Sequence, residues 1–234
     1  MSSYLIMMMG GSGTRLGADR PKQYIEVEGK PVFGYIIEAY DKTSCIDEMV
    51  IVSNKDWLDY VEEWVGRLGI KKRVTITEGG ETRSHSVYNG LKAIKDRAKD
   101  DDIVLFHDAT HPYVDEAGTE GVIEAIKKYG GATLGEFQYD TVYRMTDDGF
   151  IDKVIPRQEV VAGASPEGFT FGNIFRIYDN ASDDELKAMT SAGAIAKEHN
   201  IQMKIVQASV INLKITYPVD MEAFKKIVKS YFFE

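Results

Sequence analysis

The densest chemical signal in the chain is Gly10-Gly11-Ser12-Gly13-Thr14-Arg15-Leu16-Gly17, followed by Arg20-Pro21-Lys22-Gln23. Glycines let backbone N–H groups approach an anion closely, and Arg15, Arg20 and Lys22 add cations within the same loop. A triphosphate fits such a loop. Glycines after a strand also simply make the turn, and it is the three cations that weigh towards an anion site. Two familiar phosphate loops fail on spacing. Gly11 to Gly17 carries one residue too many before its last glycine for the dinucleotide fingerprint. The Gly-Lys pair of a Walker loop occurs as Gly29-Lys30, but Pro31 stands where Ser or Thr is needed.

Three further clusters could carry chemistry. In Gly79-Gly80-Glu81-Thr82-Arg83-Ser84-His85-Ser86, small residues at a strand-to-helix turn allow a flat base to lie against the backbone. Ser86 can hydrogen-bond a ligand, although Ser84 or Ser86 would serve equally as a helix cap. In His107-Asp108-Ala109-Thr110-His111-Pro112, Asp108 ends a buried strand, where a carboxylate must be paired or metal-bound. Pro112 and the strand context argue against a metal pair of His107 and His111, and His107 reads as a satisfied structural histidine. Lys214, in Asn212-Leu213-Lys214-Ile215-Thr216, is expected inside an apolar strand, where it needs a structural carboxylate or a ligand phosphate.

The elements that must position these residues follow from periodicity. Short apolar runs at Tyr4 to Met9, Met49 to Ser53, Val74 to Thr77 and Ile103 to Phe106 alternate with helical spacings through Val32 to Tyr40, Trp57 to Leu68 and Val87 to Ile94. That alternation predicts an α/β doubly wound, mostly parallel sheet, with ligands beyond the carboxyl ends of the strands. Thr141 to Met145 and Phe150 to Ile155, around Asp147-Asp148-Gly149, predict a β-hairpin whose Asp-Gly supplies positive φ angles. A lone ribbon is marginal in water, so it is expected to pack on something outside its own sheet, plausibly a second subunit. A helix is expected from Ser182 to about His199, strands at Met203 to Gln207 and Val210 to Thr216, and a last helix over Val219 to Tyr231. One domain, residues 1–234, with a projecting arm over 138–162, accounts for the pattern.

Composition bounds the partners. With 28 Lys+Arg against 37 Asp+Glu the net charge is −9, and no basic stripe suits a nucleic-acid backbone. No apolar run approaches the ~20 residues that span a bilayer, and the glycines after Met9 do not form a signal cleavage pattern, so a cytoplasmic protein is expected. Cys45 is the only cysteine, which excludes an intrachain disulfide and a thiolate zinc cage.

Taken in order, Gly10 to Arg15, Pro21-Lys22-Gln23, Gly79 to Ser86 with Val87-Tyr88-Asn89-Gly90-Leu91, His107-Asp108-Ala109 and Asn212 to Thr216 resemble the cytidylyltransferases that act on polyol phosphates. That family includes 2-C-methyl-D-erythritol 4-phosphate and ribitol-5-phosphate cytidylyltransferases. The resemblance implies a nucleotidyltransferase of Rossmann-like fold, a homodimer with exchanged β-arms, and a Mg²⁺-dependent reaction of CTP with a polyol phosphate. Carried over residue by residue, it implies that Gly10, Gly11, Gly13, Arg15 and Lys22 hold the triphosphate. Gly80, Glu81, Arg83, Ser86 and Ala109 fall in the cytidine site, and Lys214 contacts both substrates' phosphates. Asp108, His111, Arg157, Ser165 and Thr190 fall on the polyol-phosphate side, with Asp108 near the metal and Arg157 coming from the other subunit. On its own, Arg157 reads as a solvated surface residue.

The chain departs from the family pattern at Thr110-His111-Pro112, where Ala-Arg-Pro or Val-Arg-Pro is usual. It departs again at Ser165-Pro166-Glu167 for Thr-Pro-Gln, and at Thr190-Ser191 for Thr-Asp. A forked cation has become a titratable ring at His111, and a carboxylate is lost at Ser191. Ser182 to Thr190 is more similar to the ribitol branch and favours a straight-chain polyol phosphate, with 2-C-methyl-D-erythritol 4-phosphate as the alternative. A nucleotide-binding regulatory protein on the same fold is the competing class, and a nicotinamide oxidoreductase a distant third.

Overall fold

The computed structural model describes residues 1–11 and 20–232. Strand β1 (Ser3–Met9) is buried along its whole length, as an apolar run without alternation must be when both faces of a parallel sheet are covered. After a small ribbon, β2 (Glu26–Val27) and β3 (Lys30–Pro31), helices and strands alternate. They run α1 (Val32–Lys42), β4 (Glu48–Ser53), α2 (Leu58–Arg67), β5 (Arg73–Glu78), α3 (Arg83–Lys92), β6 (Ile103–Asp108), α4 (Glu116–Tyr129) and β7 (Gly130–Phe137). The hairpin β8 (Val142–Met145) and β9 (Ile151–Ile155) leads to β10 (Val161–Thr170). Helices α5 (Phe171–Asn180), α6 (Asp183–Ala188) and α7 (Ala192–Glu198), strand β11 (Gln202–Gln207) and helix α8 (Pro218–Phe232) complete the chain.

The main sheet has the order β11-β7-β10-β6-β1-β4-β5. Its pairs are parallel except where β10 runs antiparallel to both β6 and β7. Alternate residues of β1 feed two cores. Leu5 and Met7 pack with Ile36 of α1, Val61 of α2 and Ile126 of α4. Ile6 and Met8 pack on the other face with Leu91 of α3, Ile174 of α5 and Ile195 of α7. A third cluster seats α8 through Phe224 and Val228 against Tyr35, Tyr113 and Ile215. This is the expected doubly wound α/β architecture, and among the described residues no helix is long and apolar enough to cross a membrane.

Four local differences bear on the site. Periodicity did not reveal β10, because Gly163, Pro166 and Gly168 dilute its apolar pattern. Its register shifts between Gly163 and Glu167, which lets a proline sit inside a central strand. The helix expected from Ser182 to His199 is two helices. Ser182 and Glu185 form a reciprocal capping box on α6, and the Ser191 side chain accepts the Ala194 N–H to start α7. The stretch 211–216 is extended but joins no sheet, and its described backbone tie to the body is Ile215 N–H to the Thr110 carbonyl at 2.8 Å. In the hairpin turn only Gly149 takes a positive φ, +85°, and the ladder slips between Arg144 and Met145.

Candidate active site

The carboxyl ends of β1, β5 and β6 open into one cleft of about 650 Å³. Its wall includes Gly10, Gly11, Lys22, Gly80, Glu81, Arg83, Ser86, Asp108, Ala109 and Lys214. Gly13 and Arg15 lie outside the described residues.

The end of β1 is tied down by a short turn, Lys22–Tyr24. Gln23 Nε2 donates to the carbonyls of Met9 and Gly11, both at 2.8 Å, and Tyr24 Oη donates to Met9 at 3.1 Å. The stack of Tyr24 on Trp57, with ring centroids 4.5 Å apart, braces the same turn. Lys22 is therefore held 8% exposed at the cleft wall rather than on a free loop. Gln23 and Tyr24 are positioning residues that sequence reasoning did not single out.

The second glycine loop meets the first. A Cβ on Gly10 would stand 3.3 Å from Ser86 Oγ, so the two strand ends nearly touch there. Gly80 is more constrained, since a Cβ would stand 2.3 Å from that of His85, which excludes any larger residue without movement. Ser86 Oγ accepts from Gly80 N–H and donates to the Thr82 carbonyl, both at 3.0 Å. Thr82 caps α3 by accepting the His85 N–H. Ser84 and Ser86 are thus not the caps, and Ser86 instead shapes the loop. The Ser84 hydroxyl donates to the Met189 carbonyl at 2.9 Å, tying α3 to the segment after α6. Glu81 reaches Lys187 at 3.3 Å with its carboxylate largely exposed, and His85 Nε2 lies 2.8 Å from Asp183.

Charge concentrates at the end of β6. Asp108 accepts from Lys214 Nζ at 3.0 Å, and Arg83 Nη2 lies 3.6 Å from its other oxygen. The same Arg83 nitrogen donates to Glu167 at 3.0 Å. Burial alone would raise the Asp108 carboxyl, but Arg83 and Lys214 outweigh it and hold it below its ordinary value. For Glu167 burial wins, with help from Asp108, and its carboxyl is raised. Lys214 is about half exposed, which corrects the expectation of a lysine buried in a strand. Because 211–216 lies outside the sheet, the side chain can reach the cleft from the rim.

His107 is fully buried between Tyr40 Oη, 2.9 Å from Nδ1, and the His111 carbonyl, 2.8 Å from Nε2. A carbonyl only accepts, so Nε2 carries the proton and Nδ1 accepts from Tyr40. Burial lowers its pKa to about 4, so the ring is neutral and structural, as expected. His111 is 7% exposed and likewise lowered to about 4, chiefly by burial. It stands behind the cleft wall rather than on it. Ser165 Oγ accepts the Asp108 N–H at 3.3 Å, which places it beside the carboxylate. Arg157 sits at the root of the arm, donating to the Tyr139 carbonyl at 2.6 Å, and is not part of the cleft wall. Thr190 lines a separate hollow with Ile195 and His199. Of the polyol-side residues the chain itself therefore brings Asp108 and Ser165 together, and leaves Arg157 and Thr190 elsewhere.

This arrangement matches known proteins over nearly its whole length. Residues 4–230 match the family described as IspD, 2-C-methyl-D-erythritol 4-phosphate cytidylyltransferase. A ribitol-5-phosphate cytidylyltransferase of Streptococcus agalactiae is 31% identical over 223 residues, covering 95% of this chain and 93% of that protein. A 2-C-methyl-D-erythritol 4-phosphate cytidylyltransferase of Clostridium acetobutylicum is 33% identical over 226 residues, covering 96% of each. The crystal structure of 4-diphosphocytidyl-2C-methyl-D-erythritol synthase from Anaerococcus prevotii superposes with a TM-score of 0.82 at 24% identity. It covers 97% of this chain and 96% of that one, a likeness of fold.

Proposed function

The chain belongs to the 2-C-methyl-D-erythritol 4-phosphate cytidylyltransferase (IspD) family, and on that premise we propose that its cleft transfers a cytidylyl group from CTP to a polyol phosphate, ribitol 5-phosphate before 2-C-methyl-D-erythritol 4-phosphate. One observation carries the reading. The glycine turn with Lys22, the Gly80–Ser86 loop, and the Asp108–Lys214 pair all face a single cleft, where a nucleotide's phosphates, its base and a second phosphate would meet.

The nucleophile is a phosphate oxygen of the polyol phosphate, already an anion, so no strong base is needed. Its bond to the α-phosphorus of CTP forms as the bond to the β-phosphate oxygen breaks, and pyrophosphate leaves with the electron pair. Catalysis then rests on positioning and on neutralising charge. Lys22 and Arg15 take the triphosphate tail and the departing pyrophosphate, with Gly10, Gly11 and Gly13 leaving room for phosphate oxygens. Gly80, Glu81, Arg83, Ser86 and Ala109 form the cytidine side. Lys214 turns from Asp108 to the phosphates of both substrates, while Asp108 and Ser165 face the polyol.

Among the described residues no three metal-ligating side chains cluster, so there is no all-protein cage. A single carboxylate at the cleft fits Mg²⁺ nonetheless, because this ion keeps several waters and binds through one or two carboxylates plus substrate phosphates. Asp108 would hold it, and bound Mg²⁺ would neutralise phosphate charge. Arg157, remote from its own chain's cleft, and the exposed apolar side chains of the arm support a homodimer in which each arm completes the neighbour's site. The cytoplasm suits such a reaction.

Pyrophosphate release from CTP with Mg²⁺, measured across a panel of polyol phosphates, tests the reading. Release is expected with ribitol 5-phosphate and more slowly with 2-C-methyl-D-erythritol 4-phosphate. CTP binding without release from any polyol phosphate would contradict it and favour a regulatory nucleotide-binding role.

A further inference from the structure

Glu167 has no contact with the cleft, yet it ends a row of alternating charges that does. Lys214, Asp108, Arg83 and Glu167 stand in sequence, at 3.0, 3.6 and 3.0 Å between neighbours. Lys214, Asp108 and Arg83 line the cleft, whereas Glu167 lies behind Arg83 with its side chain only 20% exposed. It is placed there by β10, at the residue where the ladder resumes after its slip, opposite Phe106 of β6 and Thr133 of β7. The position is thus fixed by the sheet rather than by a free loop.

One guanidinium nitrogen serves both carboxylates, and it makes its hydrogen bond to Glu167, not to Asp108. A distance of 3.6 Å is an ion pair without a hydrogen bond. We propose that Glu167 is a positioning residue for the polyol side of the site, holding Arg83 back so that Asp108 keeps an oxygen free for the polyol instead of being closed off by a bidentate arginine. Arginine forks pair bidentately with a carboxylate whenever geometry allows, so a second acceptor is what prevents it here. When a substrate phosphate draws Lys214 away, Asp108 retains Arg83 as a neighbouring charge, and Arg83 stays tethered rather than following onto the phosphate. This inference rests on the cytidylyltransferase reading for its substrate and not for its geometry.

The test compares Glu167→Leu, which removes the acceptor, with Glu167→Gln, which keeps a carbonyl acceptor at the same reach. In Glu167→Leu the KM for the polyol phosphate is expected to rise roughly tenfold with the KM for CTP within about twofold of wild type. Glu167→Gln is expected to recover most of that loss. Equal rises for both substrates, or no rise in Glu167→Leu, would overturn the proposal. Independently of turnover, nitrogen-edited NMR of the arginine side chains reads the tether itself. The Arg83 guanidinium signals, assigned by their loss in Arg83→Lys, are expected to be resolved in wild type and averaged by rotation in Glu167→Leu. Averaged signals already in the wild type would overturn the tether even if no polyol phosphate proved to be a substrate. Resolved signals with no turnover would uphold the tether and count against the functional reading alone.

Discussion

At the scale of single residues, two cations separated by most of the chain converge on one cleft. Lys22 is pinned by its neighbour Gln23 to the end of β1, and Lys214 leans in from the rim against Asp108. If both meet the triphosphate, Lys22→Ala and Lys214→Ala should each weaken CTP binding about tenfold or more, the scale of a lost charged hydrogen bond, and leave cytidine binding unchanged. Isothermal titration with the two ligands checks this, and a variant that binds CTP as tightly as wild type removes that cation from the phosphate tail. The types of these residues were legible in the chain, because glycines beside cations and a carboxylate at a strand end have few structural uses. Their environments were not. Lys214 was expected to be buried because its apolar neighbours read as a strand, yet only Ile215 is buried there and the lysine stays half in water. Gln23 and Glu167 act through other residues, and such a role leaves no local pattern to read.

At the scale of elements, the parallel strands were legible because an unbroken apolar run of four to seven residues suits little else. β10 was not, since its glycines and proline break the pattern and are tolerated only where the ladder slips. The break between α6 and α7 was missed for a related reason, because Ser191 starts a new helix within a stretch whose apolar residues still keep helical spacing. The turn after β6 is stapled by His107, whose ring bridges Tyr40 and the His111 carbonyl. Its folded pKa is lowered from 6.5 to about 4, so between those values the unfolded chain binds a proton that the folded chain does not. Stability from this group is therefore complete above about pH 6.5 and falls as the pH drops towards 4, by roughly 2 kcal/mol between pH 7 and pH 5. Buried His111 is shifted the same way and adds to the loss. Urea unfolding at the two pH values should show it, with a smaller difference in His107→Gln; equal midpoints at pH 5 and pH 7 in the wild type would remove the buried neutral ring from the explanation.

At the scale of the whole molecule, a well-covered sheet carries an uncovered ribbon. Tyr143, Met145, Phe150, Ile151 and Val154 of the arm are all more than half exposed, although a two-stranded ribbon does not persist alone in water. A symmetric dimer that exchanges arms buries these side chains and brings each Arg157 to the other chain's cleft. The hairpin was legible from Asp147-Asp148-Gly149, but its destination was not, because nothing within one chain encodes where a ribbon docks. The direct measurement is complementation between two variants, each inactive alone: Arg157→Ala, with an intact cleft, and Lys22→Ala, with an intact arm. After verified subunit exchange at equal amounts, half the dimers are mixed and each mixed dimer has one complete site, so about a quarter of wild-type pyrophosphate release should return. No recovery in the exchanged mixture would contradict a cleft built from one chain's cations and completed by the other chain's arm.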